Sequence, residues 1–142
     1  NLTINIELKT NIIRYEGLEE AILKCVDSYG MSDRIIYSSF NHYSVLTIKE
    51  LCPHAKTAFL FGHNIINMPE YAHKLGVNAI HPSIRLLETP YLFEESKKYG
   101  IDVNVWTVNM GSVMRKLCDG GRVSAIVTNK PDLCREIADD YI

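Results

Sequence analysis

Asn1-Leu2-Thr3-Ile4-Asn5-Ile6-Glu7-Leu8-Lys9 opens the chain, and its phase bears directly on the fold. Read as a strand, the segment sends successive side chains to opposite faces. Asn5, Glu7 and Lys9 then share one face, and Ile4, Ile6 and Leu8 share the other. A sheet covered by helices on both faces needs apolar side chains on both. A barrel strand near its mouth carries polar residues inside and apolar residues outside. The phase therefore favours a barrel over an open, doubly wound sheet.

The rest of the chain repeats the unit. Strand-like runs begin near Thr3, Arg34, Thr57, Asn78, Asp102 and Ser124. From Arg34 onward the spacing is about 23 residues, the scale of a compact βα unit. Helix signals fill the intervals. Leu18, Ala21, Ile22, Cys25 and Val26 follow a helical spacing, with Gly30 placed to close that helix in the left-handed conformation. Pro53 stops the segment after Ser44. Asn67 reads as the N-cap of a helix carrying Met68, Tyr71, Ala72 and Leu75, closed by Gly76. Thr89-Pro90 reads as an N-cap and first helical residue, with Gly100 at the far end. Val113, Met114 and Leu117 lie on the next helix, which ends at Gly120-Gly121, and Asn129-Lys130-Pro131-Asp132 opens the last.

Alternating strands and helices predict a parallel sheet. Neither G-x-G-x-x-G nor G-x-x-x-x-G-K occurs, although open nucleotide-binding sheets usually carry such a loop. Polar residues instead follow nearly every strand, as at Ser38, Ser39, Asn41, His63, His81 and Asn109. A ring of polar groups at many strand ends is barrel behaviour.

At 142 residues, with 46% hydrophobic and 23% charged side chains, the chain reads as one domain over 1–142. A net charge of −2 without a basic stripe gives no nucleic-acid footprint. No apolar run reaches membrane-spanning length. Cys25, Cys52, Cys118 and Cys134 are widely spaced and read as reduced small hydrophobes, which suits a cytoplasmic protein better than a zinc site. The chain starts mid-pattern and without Met, so a part of a longer protein is expected.

Asp102-Val103-Asn104-Val105-Trp106-Thr107-Val108-Asn109 holds the only tryptophan. Val103 and Val105 face one way, Asn104 and Trp106 the other, so an amphipathic ring and an amide are offered where the strand ends. Glu7 and Lys9 project side by side. They form either a plain ion pair or a hard-cation ligand beside a phosphate-binding cation. His42, His63 and His81 follow strands and are either acid–base groups or backbone-bonded loop histidines; His54 and His73 lie off the strand ends. Ser38-Ser39-Phe40 lacks the G-x-S-x-G of a nucleophile elbow and reads as hydrogen-bond donors near an anion.

Four motifs in order resemble the glycerophosphodiester phosphodiesterase family: Asn5-Ile6-Glu7-Leu8-Lys9, Ser38-Ser39-Phe40-Asn41-His42, Val103 to Asn109, and Ile126-Val127-Thr128-Asn129-Lys130-Pro131-Asp132-Leu133. The Ala79-Ile80-His81-Pro82 stretch is similar to another family strand. The resemblance implies an α/β fold, a partial (β/α)8 TIM barrel of the PLC-like phosphodiesterase type that lacks the first two or three strands. It implies hydrolysis of glycerophosphodiesters to glycerol 3-phosphate and an alcohol with a divalent cation, Mg²⁺ or Ca²⁺. Glu7 is then a metal ligand and Lys9 a catalytic residue, while Trp106, Phe40, Ser39 and Asn109 bind substrate.

The family's His-Arg-Gly, E-x-D and His-Asp motifs do not occur here. The chain alone is therefore expected to be inactive, and an incomplete barrel to self-associate or to need the missing part. The alternatives are a non-catalytic phosphodiester-binding or regulatory module of the same barrel, and a related phospholipase. A receiver or flavin domain is disfavoured, since a receiver needs an acidic cluster that Glu7 alone does not supply.

Overall fold

The computed structural model describes residues 3–141; the strand-like reading of Asn1 and Leu2 lies outside them. Six strands run in order: β1 (Ile4–Glu7), β2 (Ile35–Ser39), β3 (Lys56–Phe61), β4 (Ala79–Pro82), β5 (Asp102–Val105) and β6 (Ala125–Ile126). Six helices alternate with them: α1 (Leu18–Ser28), α2 (His42–Leu51), α3 (Met68–Lys74), α4 (Leu92–Tyr99), α5 (Gly111–Gly120) and α6 (Pro131–Asp139). The strand starts agree with the sequence to within one residue.

Every strand pairs in parallel with its neighbour in sequence, giving the sheet order β1-β2-β3-β4-β5-β6. No strand order reverses, so there is no switch point of the kind an open doubly wound sheet has. This is the winding of a (β/α)8 barrel carried through six units. Among the described residues β1 and β6 each have one neighbour, and the expectation of self-association rests on those two edges.

The phase read at β1 holds across the sheet. Register aligns Glu7 with Ser38, Ser38 with Ala58, and Ala58 with Ala79. The alternate residues point outward under the helices. Ile35, Tyr37 and Leu8 meet Val26 and Ile48 there. Phe59, Phe61, Ile80 and Val103 meet Val45, Met68, Ala72 and Leu92. Val105 and Val108 meet Met114 and Ile137. Cys52, Cys118 and Cys134 pack at the margins of these clusters, and Cys25 is exposed; all four are free thiols.

Two helix starts differ from their sequence reading. Helix α4 begins at Leu92 with Tyr91 at the N-cap, not at Thr89-Pro90. The Thr89 hydroxyl is spent elsewhere, donating to Asn64 Oδ1 at 2.7 Å and tying two loops together. Asn67 does occupy the N-cap of α3, but at φ 56° and without a side-chain cap. The short amide that suits asparagine to capping also lets it enter the left-handed region.

The helix that is capped by a side chain is α2. Asn41 Oδ1 accepts from Tyr43 N at 3.2 Å, and Asn41 Nδ2 donates to the Thr10 carbonyl at 3.2 Å. One side chain thus caps a helix and anchors the loop after β1. Asn41→Ala is expected to cost about 1–2 kcal/mol of unfolding free energy, read by urea titration. An unchanged midpoint would show that water replaces both bonds.

Candidate functional site

All six strands are parallel, so every strand-to-helix loop leaves the sheet at the same end. The sequence-derived candidates collect there. Glu7 ends β1 and Lys9 follows it; Phe40 follows β2; Trp106 follows β5.

Trp106 shows how far the sheet curls. Its ring meets Phe40 edge-to-face, centroids 5.4 Å apart and planes at 84°. Two strands, β3 and β4, lie between β2 and β5. Three strand spacings in a flat sheet come to about 14 Å, too far for such a contact unless the sheet is concave on this face. The indole lies over the end of β3, where a Cβ added to Gly62 would sit 3.8 Å from Trp106 Cη2.

The indole is fixed from below. Trp106 Nε1 donates to the His81 carbonyl oxygen at 2.7 Å. The Trp106 backbone N–H donates to the Pro82 carbonyl at 3.1 Å, and its carbonyl accepts from Ile84 N at 2.6 Å. The Trp106–Thr107 peptide is cis.

His81 stands inside β4, rather than in a loop after it, and is buried. Its side chain shares the inner face with Asn104, whose amide Nδ2 lies 2.9 Å from His81 Nε2. With the amide donating, Nε2 accepts and the ring proton sits on Nδ1, the neutral tautomer. Burial pushes the imidazole down to about 4, which agrees with that assignment. His42 lies at the start of α2, its Nε2 3.0 Å from the Leu60 carbonyl oxygen and its ring stacked on Phe59 at 4.1 Å. Burial lowers it too, against the opposing pull of that carbonyl. His63 is exposed in the loop after β3. The buried pair, His81 and Asn104, could be found from sequence only by combining strand phase with register; neither motif announces it.

Glu7 and Lys9 form an ion pair at 3.1 Å. The Lys9 side chain is largely exposed and that of Glu7 about one-third exposed, so the pair contributes at most about 1 kcal/mol to stability. The lysine is therefore available to an anion, and the carboxylate to a cation, at small cost.

Ser39 is bonded within the protein. It is fully buried; its hydroxyl donates to the Leu8 carbonyl at 2.5 Å and accepts from Asn41 N at 3.0 Å. Its hydroxyl thus both donates and accepts in fastening β2 to the loop after β1. Adjacent strand residues alternate faces, and it is Ser38 that lies on the inner face, opposite Glu7. Asn109 is likewise a fastener. Its Oδ1 accepts from Thr128 Oγ1 at 3.2 Å and from Asn129 N at 2.9 Å, joining the ends of β5 and β6.

Among the described residues, no three His, Cys, Asp or Glu side chains gather closely enough to hold a metal ion. Mg²⁺ and Ca²⁺ ask for about six or more oxygen ligands. Glu7 supplies one carboxylate, already bonded to Lys9, so these residues alone do not fit a divalent cation. No helix among the described residues is long and apolar enough to cross a membrane.

The comparisons agree with the geometry. The model of the glycerophosphoryl diester phosphodiesterase family matches residues 1–133. The glycerophosphodiester phosphodiesterase of Caldanaerobacter subterraneus subsp. tengcongensis is 33% identical over 129 residues, covering 91% of this chain and 52% of that protein. The enzyme of the same name from Bacillus altitudinis is 36% identical over 83 residues, covering 58% of this chain and 34% of that one. The crystal structure of a glycerophosphodiester phosphodiesterase from Parabacteroides distasonis superposes with a TM-score of 0.86 at 24% identity, covering 99% of this chain and 58% of that one. At that identity the likeness speaks for the fold, a partial TIM barrel. The chain spans about half the length of curated relatives that it matches. Phase, winding, the concave mouth and the family match converge: the chain belongs to the glycerophosphoryl diester phosphodiesterase family.

Proposed function

We propose that this chain supplies one side of a glycerophosphodiesterase site, for hydrolysis of glycerophosphodiesters to glycerol 3-phosphate and an alcohol. The family match over residues 1–133 carries the reading. The site geometry supports a division of labour within it. Lys9, exposed beside Glu7, offers a point charge to a phosphate oxygen. The edge-to-face pair of Phe40 and Trp106 offers an apolar wall to the glycerol carbons. Asn109 holds the rim in place. Glu7 is proposed as one ligand of a divalent cation, with its remaining ligands coming from outside this set.

The chain by itself is proposed to be inactive. His81 and Asn104 engage each other, His42 is engaged with Leu60, and no metal cluster is present among the described residues. The same observations favour, as a second reading, a binding module that holds phosphodiesters without cleaving them.

The test is release of glycerol 3-phosphate from glycerophosphocholine with Mg²⁺ or Ca²⁺ added. No release above buffer is expected from this chain, and sustained turnover would overturn the inactivity. A parallel titration with sn-glycerol 3-phosphate should change the emission of Trp106, the sole tryptophan, and Lys9→Ala should weaken that binding about tenfold. Equal binding by Lys9→Ala would remove Lys9 from the site.

A further inference from the structure

Asn104 has a bonding capacity that the protein leaves unused. It lies on the inner face of β5, two residues before Trp106, and is only 7% exposed. Its amide Nδ2 lies 2.9 Å from His81 Nε2. In the neutral tautomer Nε2 accepts, so the nitrogen end of the amide faces the ring. The oxygen end then faces away from His81. Among the described residues nothing donates to Asn104 Oδ1. Nor is that oxygen sealed. Among the described residues the fully enclosed side-chain polar atoms without a partner are Ser38 Oγ and Thr57 Oγ1, so Asn104 Oδ1 keeps access to the concave side of the sheet. Side-chain acceptors this deeply placed are normally paired, with protein, water or ligand.

His81 works from both ends. Its ring decides which end of the Asn104 amide turns outward. Its carbonyl oxygen accepts from Trp106 Nε1 at 2.7 Å. Trp106 and Asn104 share a face, roughly 6–7 Å apart along the strand, and the indole meets Phe40 nearer the mouth. One histidine thus sets an aromatic wall and, deeper on the same face, an uncharged acceptor.

That pairing selects a kind of ligand. A phosphate offers only acceptors of its own and is turned away from Oδ1. An alkyl chain covers Oδ1 without donating to it and forfeits a hydrogen bond. A hydroxyl on a short carbon chain satisfies both features, its carbons against the rings and its proton on the amide oxygen.

We infer that Asn104 is the hydroxyl-reading residue of the pocket, its Oδ1 accepting from a hydroxyl of a polyol ligand. His81 is the positioning residue that holds the amide in this sense. That the other end of the ligand carries a phosphate held by Lys9 rests on the proposed function. Hydroxyl reading and phosphate binding call on different groups, so the two can fail separately.

The experiment is calorimetric titration of the chain with sn-glycerol 3-phosphate, propyl phosphate and glycerol. Propyl phosphate keeps the charge and the carbon chain and lacks the hydroxyls. The parent chain should bind sn-glycerol 3-phosphate about tenfold tighter than propyl phosphate. Asn104→Ala should abolish that preference and leave the affinity for propyl phosphate unchanged. Asn104→Asp keeps an acceptor oxygen and should retain the preference, whereas His81→Leu leaves the amide free to turn and should lower it severalfold. A preference undiminished in His81→Leu would remove the positioning role. Equal loss of both phosphates in Asn104→Ala would mean that Asn104 only holds Trp106 in place, and would overturn the inference. Equal affinities in the parent chain would also overturn it, a comparison that needs no substitution and stands whether or not a variant folds. Glycerol bound as tightly as sn-glycerol 3-phosphate would support hydroxyl reading and remove the phosphate contact of the proposed function. No binding of any of the three would overturn both.

Discussion

Replacing Phe59 by alanine is expected to lower the unfolding free energy by about 3–5 kcal/mol, read as a large drop in the urea midpoint. Phe59 sits in β3, at the centre of the sheet, and is fully buried. Register places it between Ser39 of β2 and Ile80 of β4. Its ring stacks on His42 at 4.1 Å and on Tyr71 at 5.4 Å, and it belongs to the cluster with Val45, Met68 and Ala72. Truncation removes the ring on which helices α2 and α3 both lean. A domain's total stability is about 5–15 kcal/mol, so the loss takes a large share. Phe59→Leu, which keeps most of the volume, should cost far less. A change under about 1 kcal/mol in Phe59→Ala would mean the cluster collapses freely around the gap, contrary to a core held by three strands and three helices.

The second large effect is a pH dependence centred on His81. Its imidazole titrates at about 4 in the folded chain because burial disfavours the charged ring, against about 6.5 when unfolded. Below about pH 6.5 the unfolded chain therefore binds a proton that the folded chain refuses. Stability is fully present above that pH and falls until about pH 4, below which both states are protonated. The drop across this window is about 3 kcal/mol in order of magnitude. Protonation also puts a hydrogen on Nε2, which accepts from Asn104 in the neutral ring, so the Asn104 amide must turn to offer its oxygen instead. His81→Gln should flatten the dependence of the urea midpoint between pH 7 and 4.5. Some slope will persist, because burial lowers His42 as well, with the same sign. Parallel curves for the parent and His81→Gln would place the acid sensitivity elsewhere.

Much of this architecture is local in origin and therefore legible. The phase of Ile4 to Lys9, the valines flanking Asn104, and Gly30, Gly100 and Gly121 at helix ends all follow from alternation, helical spacing and the left-handed freedom of glycine. These constraints involve near neighbours in the chain, and they are enough to place the starts of six strands to within a residue and to favour a barrel. Helix starts were less legible, since the residues that cap also turn. Thr89 spends its hydroxyl on Asn64 and Asn67 enters the left-handed region, both set by how loops meet.

The chemistry-bearing residues divide in the same way. The sequence alone determined that Glu7, Lys9, Phe40 and Trp106 stand at strand ends, because strand limits and phase are local properties. Only the tertiary structure decided which of them meet. Curvature brings Trp106 over Gly62 to Phe40, burial makes His81 a neutral partner of Asn104, and packing of the first loop consumes the hydroxyl of Ser39. Each of these depends on a contact between residues more than twenty positions apart, and the direction of a hydrogen bond across a sheet is set by register and curvature rather than by any one strand.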